Sequence, residues 1–226
     1  MSINASERLR KFATGMCLIL APAGLLVGTA MHPRESYDAA EQLSIIGHDP
    51  GRWAMAHWII AVAAVLLAGA VIGLAHLIHD RKPSHAIIGG AMGVVGALSL
   101  AAVAFAEGAF ASQLGRFAGG DGVLAAFKAA TTGTAFVVIL LGALLGPLSA
   151  IVLGAGAYRA NVVARWAAAA TMAGGACVAV SLPLNLHVLT VIGSALLLAG
   201  LAPIGVMVLA ETDEEWAHTP ARMSMA

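Results

Sequence analysis

The stretch WAMAHWIIAVAAVLLAGAVIGLAHLI, residues 53–78, decides the fold class of this chain. It contains no Asp, Glu, Lys or Arg. A helix needs about 20 mostly apolar residues to cross the hydrocarbon core of a bilayer. The stretch therefore predicts a membrane-spanning helix that carries His57 near one end and His76 near the other.

Five other apolar stretches have a similar length. The six predicted spans are residues 12–31, 53–78, 85–106, 131–157, 163–184 and 187–210. Of the 226 residues, 60% are hydrophobic and 11% are charged, whereas soluble domains have roughly 45–50% and 25%. We therefore expect an all-α polytopic membrane bundle in which residues 1–226 form a single integral membrane domain. The first span is longer than the apolar core of a cleaved signal, so we expect it to be retained.

Positive charges in short loops indicate the orientation, because cytoplasmic loops carry an excess of Lys and Arg. With a cytoplasmic N-terminus, eight basic residues lie inside, namely Arg8, Arg10, Lys11, Arg81, Lys82, Arg159, Arg165 and Arg222. Four lie outside, namely Arg34, Arg52, Arg116 and Lys128. We therefore expect both termini, including the tail 211–226, to be cytoplasmic in a bacterial cytoplasmic membrane.

Two outer loops contain short amphipathic stretches. Residues 36–46 have acidic side chains near their start and end before Gly47, which is a helix stop signal. Residues 121–130 begin at Asp121, a candidate N-cap. Each stretch predicts a short helix that lies flat in the outer interface.

Small residues are abundant in the spans and favour close helix packing. Three pairs are spaced four residues apart, namely Gly69 and Gly73, Gly89 and Gly93, and Gly142 and Gly146. Such pairs let helix backbones approach closely in lipid. We expect them to pack one bundle rather than a dimer seam, although a homo-oligomer or a larger membrane complex is compatible with this composition. Twelve basic residues balance twelve acidic ones, which argues against nucleic-acid binding.

Ionisable side chains near membrane depth are costly and indicate a functional site by default. Four of them share the outer side of the predicted bundle: His32 ends the first span, His57 lies one turn into the second, Glu107 lies near the outer end of the third, and His187 opens the sixth. Imidazole with carboxylate suits Cu, Zn or Fe, and two imidazoles suit haem iron.

These residue types predict a cofactor site on the outer side. We expect His57 and His187, with His32 or Glu107 nearby, to hold either haem b or a transition-metal ion. The candidate haem ligands are His57, His187 and His32, and Glu107 joins them as a candidate metal ligand. His57 and His76 are about 28 Å apart along their helix and point about 100° away from each other, which argues against two stacked haems.

The same side chains also have a purely structural interpretation. His32 would then be solvated, His57 would bond a nearby carbonyl, His187 would cap a helix and Arg116 would pair with Glu107. On the inner side, His76, His79 and His85 are more typical of an ordinary turn beside the headgroups than of a metal site.

Several function classes are excluded by what the spans lack. They contain no central Lys for a Schiff base and no Asp or Arg at mid-membrane for a proton pump, and the chain has no Walker loop and no GxSxG. We therefore expect a membrane-embedded haem- or metal-binding protein that serves electron transfer or redox chemistry. The alternatives are a small-solute permease or channel and a non-catalytic accessory subunit of a larger complex. Whether the protein is an enzyme is left open.

The predicted orientation is testable by cysteine accessibility. A cysteine introduced at Ser36 should react with an impermeant thiol reagent added from outside, and one at Ser84 should not, because the basic asymmetry places Ser84 in the cytoplasm. The opposite labelling pattern would show that the orientation is wrong.

Overall fold

The computed structural model describes residues 5–120, 122–212 and 216, with the side chains of 135 and 136 left aside. Within these residues, all regular structure is helical. The α-helices are α1 (Ala5–Met31), α2 (Ala39–His48), α3 (Pro50–Ile78), α4 (Pro83–Ala106), α5 (Ser112–Arg116), α6 (Val123–Thr132), α7 (Thr134–Ala143), α8 (Leu145–Ala160), α9 (Arg165–Leu184) and α10 (His187–Ala210). A π-helical turn, Glu107–Ala111, joins α4 to α5.

Among the described residues, six helices are long and apolar enough to cross a membrane. They cover Ala5–Met31, Pro50–Ile78, Pro83–Arg116, Val137–Ala160, Arg165–Leu184 and His187–Ala210. The expected all-helical class and the six apolar spans are therefore confirmed, and they indicate a multi-pass membrane protein in contact with lipid. The third helix extends ten residues beyond its predicted end at residue 106, through the π-helical turn and α5.

The long helices form a closed ring. Around it, α1 packs against α3, α3 against α4, α4 against α8, α8 against α9, α9 against α10, and α10 against α1. Leu18, Leu74, Leu153 and Ile204 belong to one buried cluster inside this ring. The end of the ring at which α1 ends and α3 and α10 begin is termed the histidine end, because it carries His32, His57 and His187.

The fourth span is interrupted near its middle. α7 ends at Ala143 and α8 begins at Leu145. Pro147 lacks the N–H that would bond to the Ala143 carbonyl four residues earlier, which weakens the helix at this point. α10, in contrast, continues through Pro203 without a break.

Helices occupy both of the predicted outer stretches. Asp38 caps α2, and its side chain accepts hydrogen bonds from the backbone at the start of that helix. α6 follows Gly122, which has a positive φ of 81°, whereas the predicted cap Asp121 lies outside the described residues. Ile46 of α2 and Phe127 of α6 belong to one buried cluster at the histidine end. That these helices lie in a membrane interface stays a prediction.

The paired glycines pack against neighbouring helices of the same chain, as the bundle interpretation predicts. A Cβ added to any one of them would contact another helix, at Cys17 for Gly69, Thr14 for Gly73, Leu153 for Gly89, Ser149 for Gly93, Ser99 for Gly142 and Gly96 for Gly146. Close backbone approach at these points gives the van der Waals contact that holds helices together in lipid.

Gly96 should be the least replaceable of the packing glycines. A Cβ at this position would overlap the main chain of Gly146, and main-chain atoms cannot rotate away. Gly96→Ala should therefore lower the free energy of unfolding by about 1–3 kcal/mol, seen as a lower thermal midpoint in detergent. Gly119→Ala is the matched control, because a Cβ there meets nothing within 4 Å. Equal midpoints for the two variants would contradict the packing argument.

Candidate functional site

His32 is positioned by the end of α1. A residue before proline is disfavoured in helical conformation, and the helix ends at Met31, just before His32-Pro33. Arg52 Nε donates to the Met31 carbonyl at 2.7 Å, which satisfies a carbonyl that has no partner within the helix. The His32 side chain lies inside the bundle and is only 7% exposed. It is therefore not the solvated loop residue of the structural interpretation.

His57 is positioned by the start of α3. Asp49 caps this helix, since its side chain accepts from the Arg52 backbone N–H at 2.9 Å, and Pro50 occupies the first turn. Trp53 and His57 are four residues apart and so share one helix face. The His57 side chain is buried, and its Nδ1 lies 2.9 Å from the Trp53 carbonyl oxygen.

The imidazoles of His32 and His57 meet through their Nε2 atoms, which lie 3.3 Å apart. The Nδ1 atoms contact main-chain carbonyls, that of Pro33 for His32 and that of Trp53 for His57. In the tautomer that donates Nδ1–H to these carbonyls, each neutral ring presents an Nε2 lone pair to the other. Two lone pairs facing each other repel unless a proton or a metal ion lies between them.

Trp53 holds this pair of rings in place. Its ring centroid lies 4.6 Å from that of His32 and 4.6 Å from that of His57. The Trp53 side chain is buried, and its Nε1 donates to the Glu107 carbonyl at 3.2 Å. Trp53 is not among the residues predicted for the site, although its four-residue spacing from His57 places the two side chains on one helix face.

His187 lies beside the pair rather than in it. Its ring centroid is 6.4 Å from that of His32, and its side chain is half-buried. The sequence-based prediction was that His57 and His187 hold the cofactor together, with His32 or Glu107 nearby. The structure brings all three to one end of the bundle, but the closest imidazole contact joins His32 to His57.

Glu35 brings a carboxylate that the sequence did not single out. Its Oε1 lies 3.7 Å from Nε2 of His32, and its side chain is 58% exposed. Burial lowers the pKa of His32 from its ordinary value of 6.5, and the negative charge of Glu35 opposes that shift. The lowered pKa of His32 favours a neutral ring at pH 7, which is the state that binds metals.

Glu107 opens the π-helical turn, a rare geometry that is frequent at functional sites. Its side chain is half-buried, and among the described residues no hydrogen bond or ion pair joins its carboxylate to a histidine or to Arg116. The turn packs against the site, because a Cβ at Gly108 would lie 3.2 Å from the His57 Cβ. Its role as a ligand stays a prediction.

In their present positions, the side chains of the histidine end do not form a complete set of metal ligands. Within the described part of the chain, no three His, Cys, Asp or Glu side chains converge closely enough to hold a metal ion. The histidine end therefore presents one converged imidazole pair, His32 and His57, with His187 and Glu35 beside it.

The histidines at the opposite end of the ring are engaged separately. The His76 ring packs on the Trp216 ring, with centroids 5.2 Å apart. His85 Nε2 lies 3.4 Å from the Arg159 guanidinium. That this end is an ordinary turn region stays a prediction.

The chain matches no known protein family, no curated protein and no solved structure. Function is therefore inferred from the side chains of the histidine end.

Trp53 should contribute strongly to stability at the histidine end. Trp53→Ala removes a buried ring that packs on both imidazoles, and the cavity should cost about 3–5 kcal/mol. Trp166→Ala is the control, because that ring is 59% exposed and loses little packing. The measurement is chemical unfolding in detergent micelles. A Trp53→Ala variant as stable as Trp166→Ala would be inconsistent with the packing role of Trp53.

Proposed function

We propose that this protein binds a metal cofactor at the histidine end and uses it in electron transfer or another redox reaction. In this proposal it is a multi-pass protein of a bacterial cytoplasmic membrane, and the histidine end faces outwards with both termini cytoplasmic. α2 and α6 then lie at the outer interface, close to the site.

The converged Nε2 atoms of His32 and His57 carry the proposal. With metal–nitrogen bonds of about 2.0–2.1 Å and tetrahedral geometry, two ligating nitrogens lie about 3.3–3.4 Å apart. The separation in the protein is 3.3 Å. Metal-binding histidines usually donate their other ring N–H to a carbonyl or carboxylate, and both rings have such a carbonyl at Nδ1.

A single ion suits this arrangement better than haem b does. Iron with two axial imidazoles needs the planar macrocycle to pass between the rings, whereas the His32 and His57 rings are in contact, with centroids 4.6 Å apart. A haem would require one of these rings to turn away. Of the ions considered, Cu and Fe change oxidation state and Zn does not, so the redox role favours Cu or Fe.

The permease alternative receives less support from the cavities. One cavity, of about 570 Å³, lies at the histidine end between α2 and the segment around Arg116. A second one, about 330 Å³, is an apolar groove along α1 and α3. His48 lines the first cavity, but neither is lined by His32, His57 or His187, which a solute path through the candidate site would require.

Cofactor occupancy tests the proposal directly. Purified wild type, supplied with one equivalent of Cu²⁺ or Fe²⁺, should retain about one ion per chain after desalting. His32→Ala and His57→Ala should each lose most of it, because one imidazole alone is a poor site. His85→Ala is the control, since His85 lies at the opposite end of the ring.

The redox part of the proposal has its own readout. The bound ion should give an electron paramagnetic resonance signal that responds reversibly to ascorbate and ferricyanide. Wild type that retains no metal, or His57→Ala that retains it in full, would refute the metal site. A Soret band in the purified wild type would instead establish haem as the cofactor.

A further inference from the structure

We propose that Glu35 is the third protein ligand of the metal ion held by His32 and His57, an inference that rests on the proposed function. It assigns a ligand role to a side chain outside the predicted spans, and it defines the site as two imidazoles and one carboxylate.

Glu35 is carried by a short non-helical segment, residues 33–38, which links α1 to α2 and is termed the strap. The Glu35 carbonyl accepts a hydrogen bond from Asn185 Nδ2 at 3.0 Å. The Tyr37 hydroxyl lies 3.1 Å from the Leu182 carbonyl oxygen and 3.0 Å from that of Pro183. Hydrogen bonds on both sides of Ser36 therefore anchor the strap to the end of α9 and to Asn185, and they hold the Glu35 backbone at the histidine end.

The backbone of Glu35 is held while its carboxylate is free to adjust. The side chain is 58% exposed, and its Oε1 lies 3.7 Å from His32 Nε2. Ligating oxygen and nitrogen atoms on one ion with bonds near 2.0–2.1 Å lie about 2.9–3.4 Å apart. A shift of less than about 1 Å, within reach of an exposed side chain, brings the carboxylate to that distance.

Charge favours the same movement. An ion held by His32 and His57 adds positive charge beside Arg52, whose guanidinium bonds the Met31 carbonyl next to His32. A carboxylate supplies the negative charge that offsets this accumulation. Among the described residues, Glu35 is the acidic group in ion-pair contact with either imidazole of the pair.

Glu107 is the other candidate for the third ligand, and its contacts support this role less than those of Glu35 do. No hydrogen bond or ion pair joins its side chain to an imidazole within the described residues, and its main chain is committed to the π-helical turn and to Trp53. The Glu35 carboxylate, in contrast, already lies 3.7 Å from Nε2 of His32.

This ligand set has consequences for the ion. Two histidines and one carboxylate with open positions are typical of non-haem Fe(II) sites, and Cu(I) prefers thiolate or thioether ligands. The site would therefore favour a divalent ion with a free coordination position for water or a small ligand.

The test uses Co²⁺ alone as the probe, since its visible absorption reports the number and type of ligands. Full-length wild type, Glu35→Gln, Glu107→Gln and Glu41→Gln are titrated in detergent. Glu41→Gln is the matched control, because Glu41 contacts Arg34 and Ser36 of the strap and carries the same charge. Elution volume and thermal midpoint verify that each variant is folded.

Glu35→Gln should bind Co²⁺ at least about tenfold more weakly than wild type and show an altered spectrum at saturation, because a ligand is lost. Loss of even an outer-shell partner typically costs 10–100-fold in affinity. Glu41→Gln and Glu107→Gln should match wild type within about twofold. Unchanged affinity and spectrum in Glu35→Gln, or a weakening confined to Glu107→Gln, would overturn the assignment while leaving the two-histidine site intact. Wild type that does not bind Co²⁺ at all would overturn the metal site and this assignment together.

Discussion

The architecture depends on one constraint, which is that main-chain N–H and C=O groups find no water inside a bilayer. Only structures that satisfy these groups internally can cross it, and among the described residues six helices are long and apolar enough to do so. The constraint is relaxed where helices end. Carbonyls in the last turn of a helix have no partner within it, and at the histidine end they become acceptors for side chains.

That end is organised by these terminal carbonyls. Arg52 donates to the last turn of α1, and the Tyr37 hydroxyl reaches two carbonyls in the last turn of α9. Beyond the end of α1, the Pro33 carbonyl binds His32 Nδ1. Satisfying the backbone therefore also orients the imidazole of His32 and anchors the strap that carries Glu35. The same hydrogen bonds therefore satisfy main-chain carbonyls and fix the geometry of the site.

The candidate site could be predicted from the sequence only in part. The depth of His32, His57 and His187 follows from their positions at the ends of apolar runs, because each helical residue rises 1.5 Å. Which imidazoles meet could not be predicted, since that depends on how each helix is rotated and on which helices are neighbours. The contact of Glu35 with His32 could not be predicted either, because it arises in a non-helical segment, where sequence spacing does not determine which way a side chain points.

The sequence by itself determined that the described part of the chain contains six helices of membrane-spanning length, because hydrophobic length and the scarcity of charge are properties of each segment alone. It also determined that His32, His57 and His187 lie near the same end of their spans. Only the tertiary structure decided the order of the helices around the ring, the pairing of His32 with His57, and the packing of Trp53 against both. Those features depend on contacts between segments distant in sequence, such as α1 with α3 and α10. Such contacts are determined by how the surfaces of the helices fit together when they pack.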